Sequence, residues 1–537
     1  MLVALAMAAA AVLLAYWSRG LWFSTDDLDY ATRLANDSLG HALLYPPSNK
    51  YLIAVPLLFY KATFEVFGID TYVPERVVGL GLVLLSAGLL FALLRKRVGD
   101  LAAVPPVLLM LFFGAGWEAV LTPVRIPSQF ALVAGLGTLL ALERRDLRGD
   151  LAAMVLLAVS LASHPVGISF AAAATVMIVL RSREGWRALW VVAVPGALFA
   201  VWWLFLRPPT TPSLVPNRAS DVFPFVRDSW ASVTAAVTGL FGVLDDAAFH
   251  EPLAWIAAAL LLVLIAVGVA WSWRRLPPIF WAALVGLLVL MATTRLSPGG
   301  FLRVPDEPRY LYPEAFYLLI LLGALAGTVR LRGWPLWLAS GILLISLWPN
   351  IDRLIDSGRG ARETFDGYRA EWSAVEIAGP NAQPGYRPDF LSPTAAEYLT
   401  AVRAYGRGGY SVSQLASRPN DTRRLADSAL VRALGIRLVP AAGPKPAAQR
   451  CATAGRGGSS AAPLPASGVW IGPGPLASAS FYLGRFADQP SARLTPPATP
   501  GPAVLRVPPG TAGPPWRLLV QSTRALRVCG LAGAPSP

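Results

Sequence analysis

Apolar runs of membrane-spanning length recur along the first 349 residues, separated by short polar breaks, and then cease. The pattern predicts eleven helical spans, near 2–18, 77–94, 101–121, 129–142, 151–163, 166–180, 188–206, 252–271, 279–294, 311–329 and 334–349. Several fall short of the ~20 residues a straight span requires, so those helices extend into their flanks. Basic residues set the orientation. Arg95, Lys96 and Arg97 share one short break; Arg144, Arg145 and Arg148 share the next but one. Arg181, Arg183 and Arg187 follow, then Arg274 and Arg275, then Arg330 and Arg332. Clusters in every second loop place the N-terminus and those five loops in the cytoplasm. The loops at 19–76, 122–128, 207–251 and 295–310, and the tail, fall on the outer side. The alternative for residues 2–16, a cleaved signal peptide, lacks both a preceding basic region and a small-x-small cleavage site. Tyr16, Trp17, Arg19, Trp22 and Phe23 instead match the interfacial belt of an uncleaved anchor.

Two outer loops are long. The first carries amphipathic stretches, Tyr30 to Leu44 and Tyr51 to Phe67, separated by Pro46-Pro47, and predicts helices lying along the interface. The second begins RPPTTPSLVP and continues into a helical stretch around Trp230 to Leu244. Beyond Pro349 the periodicity changes. Residues 350–440 mix charge with helical spacing, with Ser392 as an N-cap candidate and Glu397 in the following turns. Residues 441–465 read as a linker or long loop. The β-like runs GVWIG, SASFYLGRF, SARLT, AVLRVP, WRLLVQS and LRVCGL follow between Gly and Pro, as in a small β-sandwich over 466–537. The fold class expected is therefore a polytopic α-helical membrane protein, 1–349, with an extracytoplasmic α+β domain that ends in a sandwich-like part.

Composition agrees with this division. Of 537 residues, 55% are hydrophobic and 15% charged, too few charges to cover a soluble protein of this size. The formal charge of +14 is uneven: from Asn350 onward there are 21 basic and 11 acidic residues, a net +10. Only Lys50, Lys61, Lys96 and Lys445 are lysines; with abundant Ala, Gly and Pro this suggests a GC-rich bacterial genome. Both cysteines, Cys451 and Cys529, lie in the tail, where an oxidising outer compartment would permit a disulfide; two free thiols are the alternative.

No GxxxxGK[ST] loop, no GxGxxG after a strand and no HExxH is present, which leaves nucleotide-driven pumps and Rossmann enzymes unsupported. Charged residues within spans are scarce, apart from Glu118 and Arg125 near an outer end, which argues against an ion relay. Charge gathers instead at Ser24-Thr25-Asp26-Asp27-Leu28-Asp29-Tyr30, directly after the first span. Three carboxylates within four residues repel one another unless a cation offsets them. They suit proton acceptance from a hydroxyl, or a divalent metal ion held by Asp26 and Asp27, with His250 of DDAAFHEP as a further ligand. They equally suit a capped, acidic helix start.

The order of motifs here resembles the GT-C glycosyltransferases, in the branch that holds protein O-mannosyltransferases and lipid A aminoarabinose transferases. The elements that carry the resemblance are Asp26-Asp27, Tyr30-Ala31, Pro46-Pro47 with Lys50, Phe67-Gly68, Arg76 and the late segment Glu307-Pro308-Arg309-Tyr310-Leu311-Tyr312-Pro313. The branch usually has Asp-Glu where this chain has Asp-Asp followed by Asp29. The resemblance implies a sugar carried on polyprenyl phosphate and transferred, with inversion, to an acceptor hydroxyl at the outer face. It implies Asp26 or Asp27 as general base, Asp29 and Tyr30 at the substrate, and Lys50, Arg76, Arg309 and Tyr310 around the lipid phosphate, with Arg303 and Arg125 as weaker candidates. Such a protein is a plasma-membrane hexosyl- or pentosyltransferase whose basic tail attracts an anionic envelope glycan or lipid acceptor. Its partners are the lipid-linked sugar, that acceptor and membrane lipids, with no nucleic acid. The competing reading is a non-enzymatic lipid or polymer flippase, or an assembly scaffold with a glycan-binding tail.

Overall fold

A computed structural model of the chain describes residues 2–45, 51–181, 185–207, 222–242, 252–295, 307–329 and 333–441. Beyond these it describes 451–454, 461–465, 468–472, 476, 479–497, 501–509 and 512–530. The first half contains α1 (Leu2–Trp17), α2 (Thr25–Asn36), α3 (Leu39–Leu44), α4 (Ala54–Phe67), α5 (Val73–Val98), α6 (Val104–Leu111), α7 (Trp117–Leu121), α8 (Ile126–Leu142), α9 (Leu147–Leu161) and α10 (Val166–Val179). Then come α11 (Trp190–Val201), α12 (Val222–Leu240), α13 (Pro252–Ser272), α14 (Pro278–Arg295), α15 (Pro308–Val329), α16 (Trp334–Ile345) and α17 (Leu347–Ala378). The tail adds α18 (Ala395–Tyr405), α19 (Val412–Ala416), α20 (Asn420–Ala433) and nine short strands.

The chain divides into two compact units. The first comprises Met1–Arg19, Ser38–Thr63 and Val73–Arg362; the second comprises Gly20–Asp37, Phe64–Tyr72 and Glu363–Pro537. This differs from the division expected at residue 349. Two stretches of the first outer loop belong with the tail unit, because α2 packs on α18 and Asn36 Nδ2 donates to the Glu397 carbonyl at 3.3 Å.

Among the described residues of the first unit, six stretches are long and apolar enough to cross a membrane by length and composition. They are Val73–Val98, Val104–Leu121, Pro123–Leu142, Ala258–Arg275, Pro308–Val329 and the start of Trp334–Asn381. Leu2–Trp17, Val166–Val179, Trp190–Leu206 and Pro278–Thr294 are shorter apolar helices. Helices α5, α8, α10, α14 and α15 pack around one another over a core of Leu, Ala and Phe. The α8–α10 contact depends on Gly135: a Cβ there would meet the Phe170 ring at 2.1 Å, so only glycine lets the two helices approach this closely. Two buried hydroxyls find partners on neighbouring helices, Ser160 Oγ donating to the Ala131 carbonyl at 2.7 Å and Ser169 Oγ meeting Tyr317 OH at 2.9 Å. The run expected as one span at 101–121 is broken at Phe112–Gly116, where Gly114 N–H donates to Asn350 Oδ1 at 2.8 Å instead of continuing the helix.

The amphipathic stretch expected from Tyr30 to Leu44 is likewise two helices, each with its own serine cap. Ser24 opens α2 and Ser38 opens α3. The expected cap at Ser392 falls instead at Thr394. A capping box requires its acid three residues on, and Thr394 stands three before Glu397, whose carboxylate takes the Thr394 N–H at 2.7 Å.

The strands are β1 (Val439–Pro440), β2 (Cys451–Ala454), β3 (Ala461–Pro463), β4 (Val469–Ile471), β5 (Ala479–Gly484), β6 (Ala492–Leu494), β7 (Ala503–Leu505), β8 (Arg517–Ser522) and β9 (Leu526–Cys529). They form two antiparallel sheets, β1-β7-β4-β9-β2 and β3-β8-β5-β6. Each of the six β-like runs in the sequence contains one strand. The expected linker at 441–465 contains two more, β2 and β3. Their residues, CATA and AAP, carry no β-branched alternation, so pairing with β9 and β8 selects the extended state rather than local preference. Cys451 lies opposite Cys529 in the β2–β9 register, and a disulfide joins them. Asp427 of α20, wholly buried, ties the helix to the end of β5 by accepting the Arg485, Phe486 and Ala487 N–H groups at 3.0–3.1 Å.

Candidate functional site

The acidic cluster forms the first turn of α2, in the second unit. Ser24 is the N-cap and Asp27 the reciprocal acid of a capping box. Asp27 Oδ2 accepts from Ser24 N–H at 2.9 Å, Ser24 Oγ at 2.9 Å and Tyr72 OH at 2.7 Å. Its side chain is fully buried. With three donors on one oxygen and its side chain buried, Asp27 serves in the structure to cap the α2 turn, although it is expected as a possible base. Asp26, one residue earlier, points elsewhere. It is half-buried and has no hydrogen bond or ion pair among the described residues.

Its surroundings come from distant sequence. Asp26, Asp389 and Glu371 all act electrostatically on Tyr368 of α17. Thr25 Oγ1, beside Asp26, approaches Asp389 Oδ2 at 3.5 Å. Asp389 in turn organises its own loop by accepting from Leu391 N–H at 2.7 Å and from Ser392 Oγ at 2.6 Å. The three clustered carboxylates are thus separated by their environments: Asp27 inward to Tyr72, Asp26 toward the Tyr368 side, and Asp29 toward Arg33 one turn on. Arg33 is buried; desolvation holds its pKa below the ordinary arginine value, and Asp29 and Asp37 partly offset that cost. Tyr30 is also buried, at 3% exposure, and serves the core of this unit rather than the accessible substrate contact expected of it.

The expected cations belong to the first unit or lie outside the described residues. Lys50 and Arg303 are in the latter group, as is His250, the expected further metal ligand. Arg76, near the start of α5, donates through Nη2 to the Ala15 carbonyl at 2.8 Å and approaches Ser18 Oγ at 3.4 Å. It therefore closes the C-terminal turn of α1, whose carbonyls have no intrahelical partner. The cavity beside it has a volume of only about 10 Å³, room for a single water and not for a lipid phosphate. Arg309 pairs with Glu307 through Nη2 at 2.6 Å and lies 5.0 Å from the Tyr310 ring. Arg125 pairs with Glu118 at 2.6 Å and is near enough to Arg309 for their charges to interact. Two buried acids of this unit escaped the sequence reading, Glu75 at 1% exposure and Glu314 at 0%. Glu314 sits within the span expected at 311–329, and that placement alone is a detectable signal.

Among the described residues, no group of three His, Cys, Asp or Glu side chains is arranged to hold a metal ion. No protein-family model matches the chain, and no curated protein matches its sequence.

Proposed function

We propose that the chain is a GT-C-type glycosyltransferase of the plasma membrane, with eleven spans, a cytoplasmic N-terminus and an extracytoplasmic tail. It transfers a sugar from polyprenyl phosphate to an acceptor hydroxyl. The observation that carries this reading is the first turn of α2, where Asp27 is locked into a capping box while the neighbouring Asp26 has no hydrogen bond or ion pair among the described residues. In the transfer, Asp26 takes the proton of the acceptor hydroxyl as its oxygen attacks the anomeric carbon. The bond from that carbon to the phosphate oxygen breaks, and the lipid phosphate leaves with the electron pair. A cationic group offsets the charge that grows on the phosphate, the role that the resemblance to the GT-C branch gives to Lys50 and Arg309.

The membrane setting is supported by apolar side chains left on the surface of α13, where Leu260, Leu264 and Trp271 are 59%, 66% and 83% exposed. The sidedness is supported by basic residues of four short loops lining one cavity of the first unit.

The test is transfer of labelled mannose or arabinose from polyprenyl phosphate, measured in proteoliposomes. Asp26→Asn lowers the rate by ~10²–10⁴-fold, the usual contribution of a positioned base, while the protein accumulates normally. Undiminished transfer by Asp26→Asn removes Asp26 from that role.

A further inference from the structure

The cavity just mentioned has a volume of about 550 Å³, within the range of ligand sites, and lies wholly inside the first unit. Lys96 and Arg97 at the end of α5, Arg145 after α8, Arg181 after α10 and Arg275 after α13 all line it, against a single lining acid among the described residues, Glu143. Topology alone asks only that such residues stand in the same set of loops; it does not require them to converge on one open cavity.

Ion pairing leaves part of this charge unmatched. Glu143 is shared by Lys96, at 2.8 Å, and Arg97. Arg181 is held by Asp150 at 2.7 Å. Arg145 and Arg275 have no ion-pair partner among the described residues. Arg145 is also the one non-glycine residue there with a left-handed backbone, φ 56°, a conformation that costs an ordinary L-residue about 1–2 kcal/mol. Strain of this kind persists where the surrounding structure requires it, often at binding sites. Apart from Thr328 the remaining wall is apolar, including Leu142, Met177, Ile178 and the Pro277-Pro278 step that opens α14.

We propose that this cavity binds a phosphate-ester anion, with Arg145 and Arg275 gripping the phosphate and the apolar wall receiving what is attached to it. Guanidinium groups bind phosphate oxygens in pairs, and basic pockets between spanning helices are suited to anionic lipid headgroups. The site is independent of the sugar-transfer reading and stands or falls separately.

The experiment compares the full chain in nanodiscs of phosphatidylcholine alone, of phosphatidylcholine with phosphatidylglycerol, and of phosphatidylcholine with added inorganic phosphate, reading thermal unfolding against ligand concentration. Wild type gains stability with phosphatidylglycerol, and Arg145→Ala/Arg275→Ala binds at least about tenfold more weakly, as expected for losing charge-assisted hydrogen bonds. Arg148→Ala/Arg274→Ala removes the same charge from the same loops but outside the cavity, and keeps the wild-type response. A response to inorganic phosphate that is lost in the cavity variant supports the site and assigns its ligand to a soluble source. No response to either anion, or equal loss in both double variants, overturns the proposal, the latter because diffuse surface charge then explains the effect.

Discussion

Replacing Asp27 by alanine separates a structural carboxylate from a chemical one. The change removes the acceptor of three hydrogen bonds in a fully buried turn: Ser24 N–H, Ser24 Oγ and Tyr72 OH. Loss of the capping box costs about 1 kcal/mol. Depriving the buried Tyr72 hydroxyl of this acceptor costs a further ~1–3 kcal/mol. The sum, about 2–4 kcal/mol, corresponds to a ~30- to 1,000-fold shift in the local opening equilibrium. Amide hydrogen exchange across residues 24–36 reads the opening of α2 residue by residue. Asp27→Ala therefore loses at least ~30-fold of its protection there, while Asp26→Ala changes it by no more than about twofold, the range for a side chain without partners. Combining Asp27→Ala with Tyr72→Phe costs less than the sum of the two single changes, since both remove the same hydrogen bond. If Asp27→Ala leaves the exchange of α2 unaltered, or Asp26→Ala disturbs it equally, the division of roles between the two aspartates is wrong.

Two further outcomes concern the tail unit. Asp427→Ala withdraws one carboxylate from three buried N–H groups of residues 485–487, and we expect a loss of ~3–5 kcal/mol, visible as protease sensitivity in the β-rich region at temperatures where wild type resists. Reduction of Cys451–Cys529, or the pair of Cys→Ser changes, releases a crosslink between residues 78 apart; chain entropy alone assigns this about 4.5 kcal/mol, so the melting of the β-rich region falls markedly in reductant, and an unchanged melt would show that the strand ladder suffices without it.

Hydropathy and local chemistry determined much of this protein. The apolar helices, the helical stretch after Asn350 and six of the strands follow from periodicity over neighbouring residues, and such periodicity is a local property. The first turn of α2 was also legible: Ser24 with acids close behind is a helix start wherever it occurs. Tertiary structure decided what each residue of that turn does. Three neighbouring aspartates are chemically alike in sequence, and only the approach of Tyr72, Arg33 and the Tyr368–Asp389 group makes one a cap, one an electrostatic neighbour of Arg33 and one without a hydrogen bond or ion pair among the described residues. Arg76 carried a conspicuous charge beside a span, yet its hydrogen bonds go to the end of α1, a partner 61 residues away in sequence. Strands β2 and β3 show the same limit, because the edges of β9 and β8 supply the hydrogen bonds that their own side chains do not specify. The convergence of Lys96, Arg97, Arg145, Arg181 and Arg275 on one cavity belongs to this second class. Sequence assigns those charges to loops, but their proximity arises only when helices far apart in the chain pack together and bring the ends of their loops into one cavity.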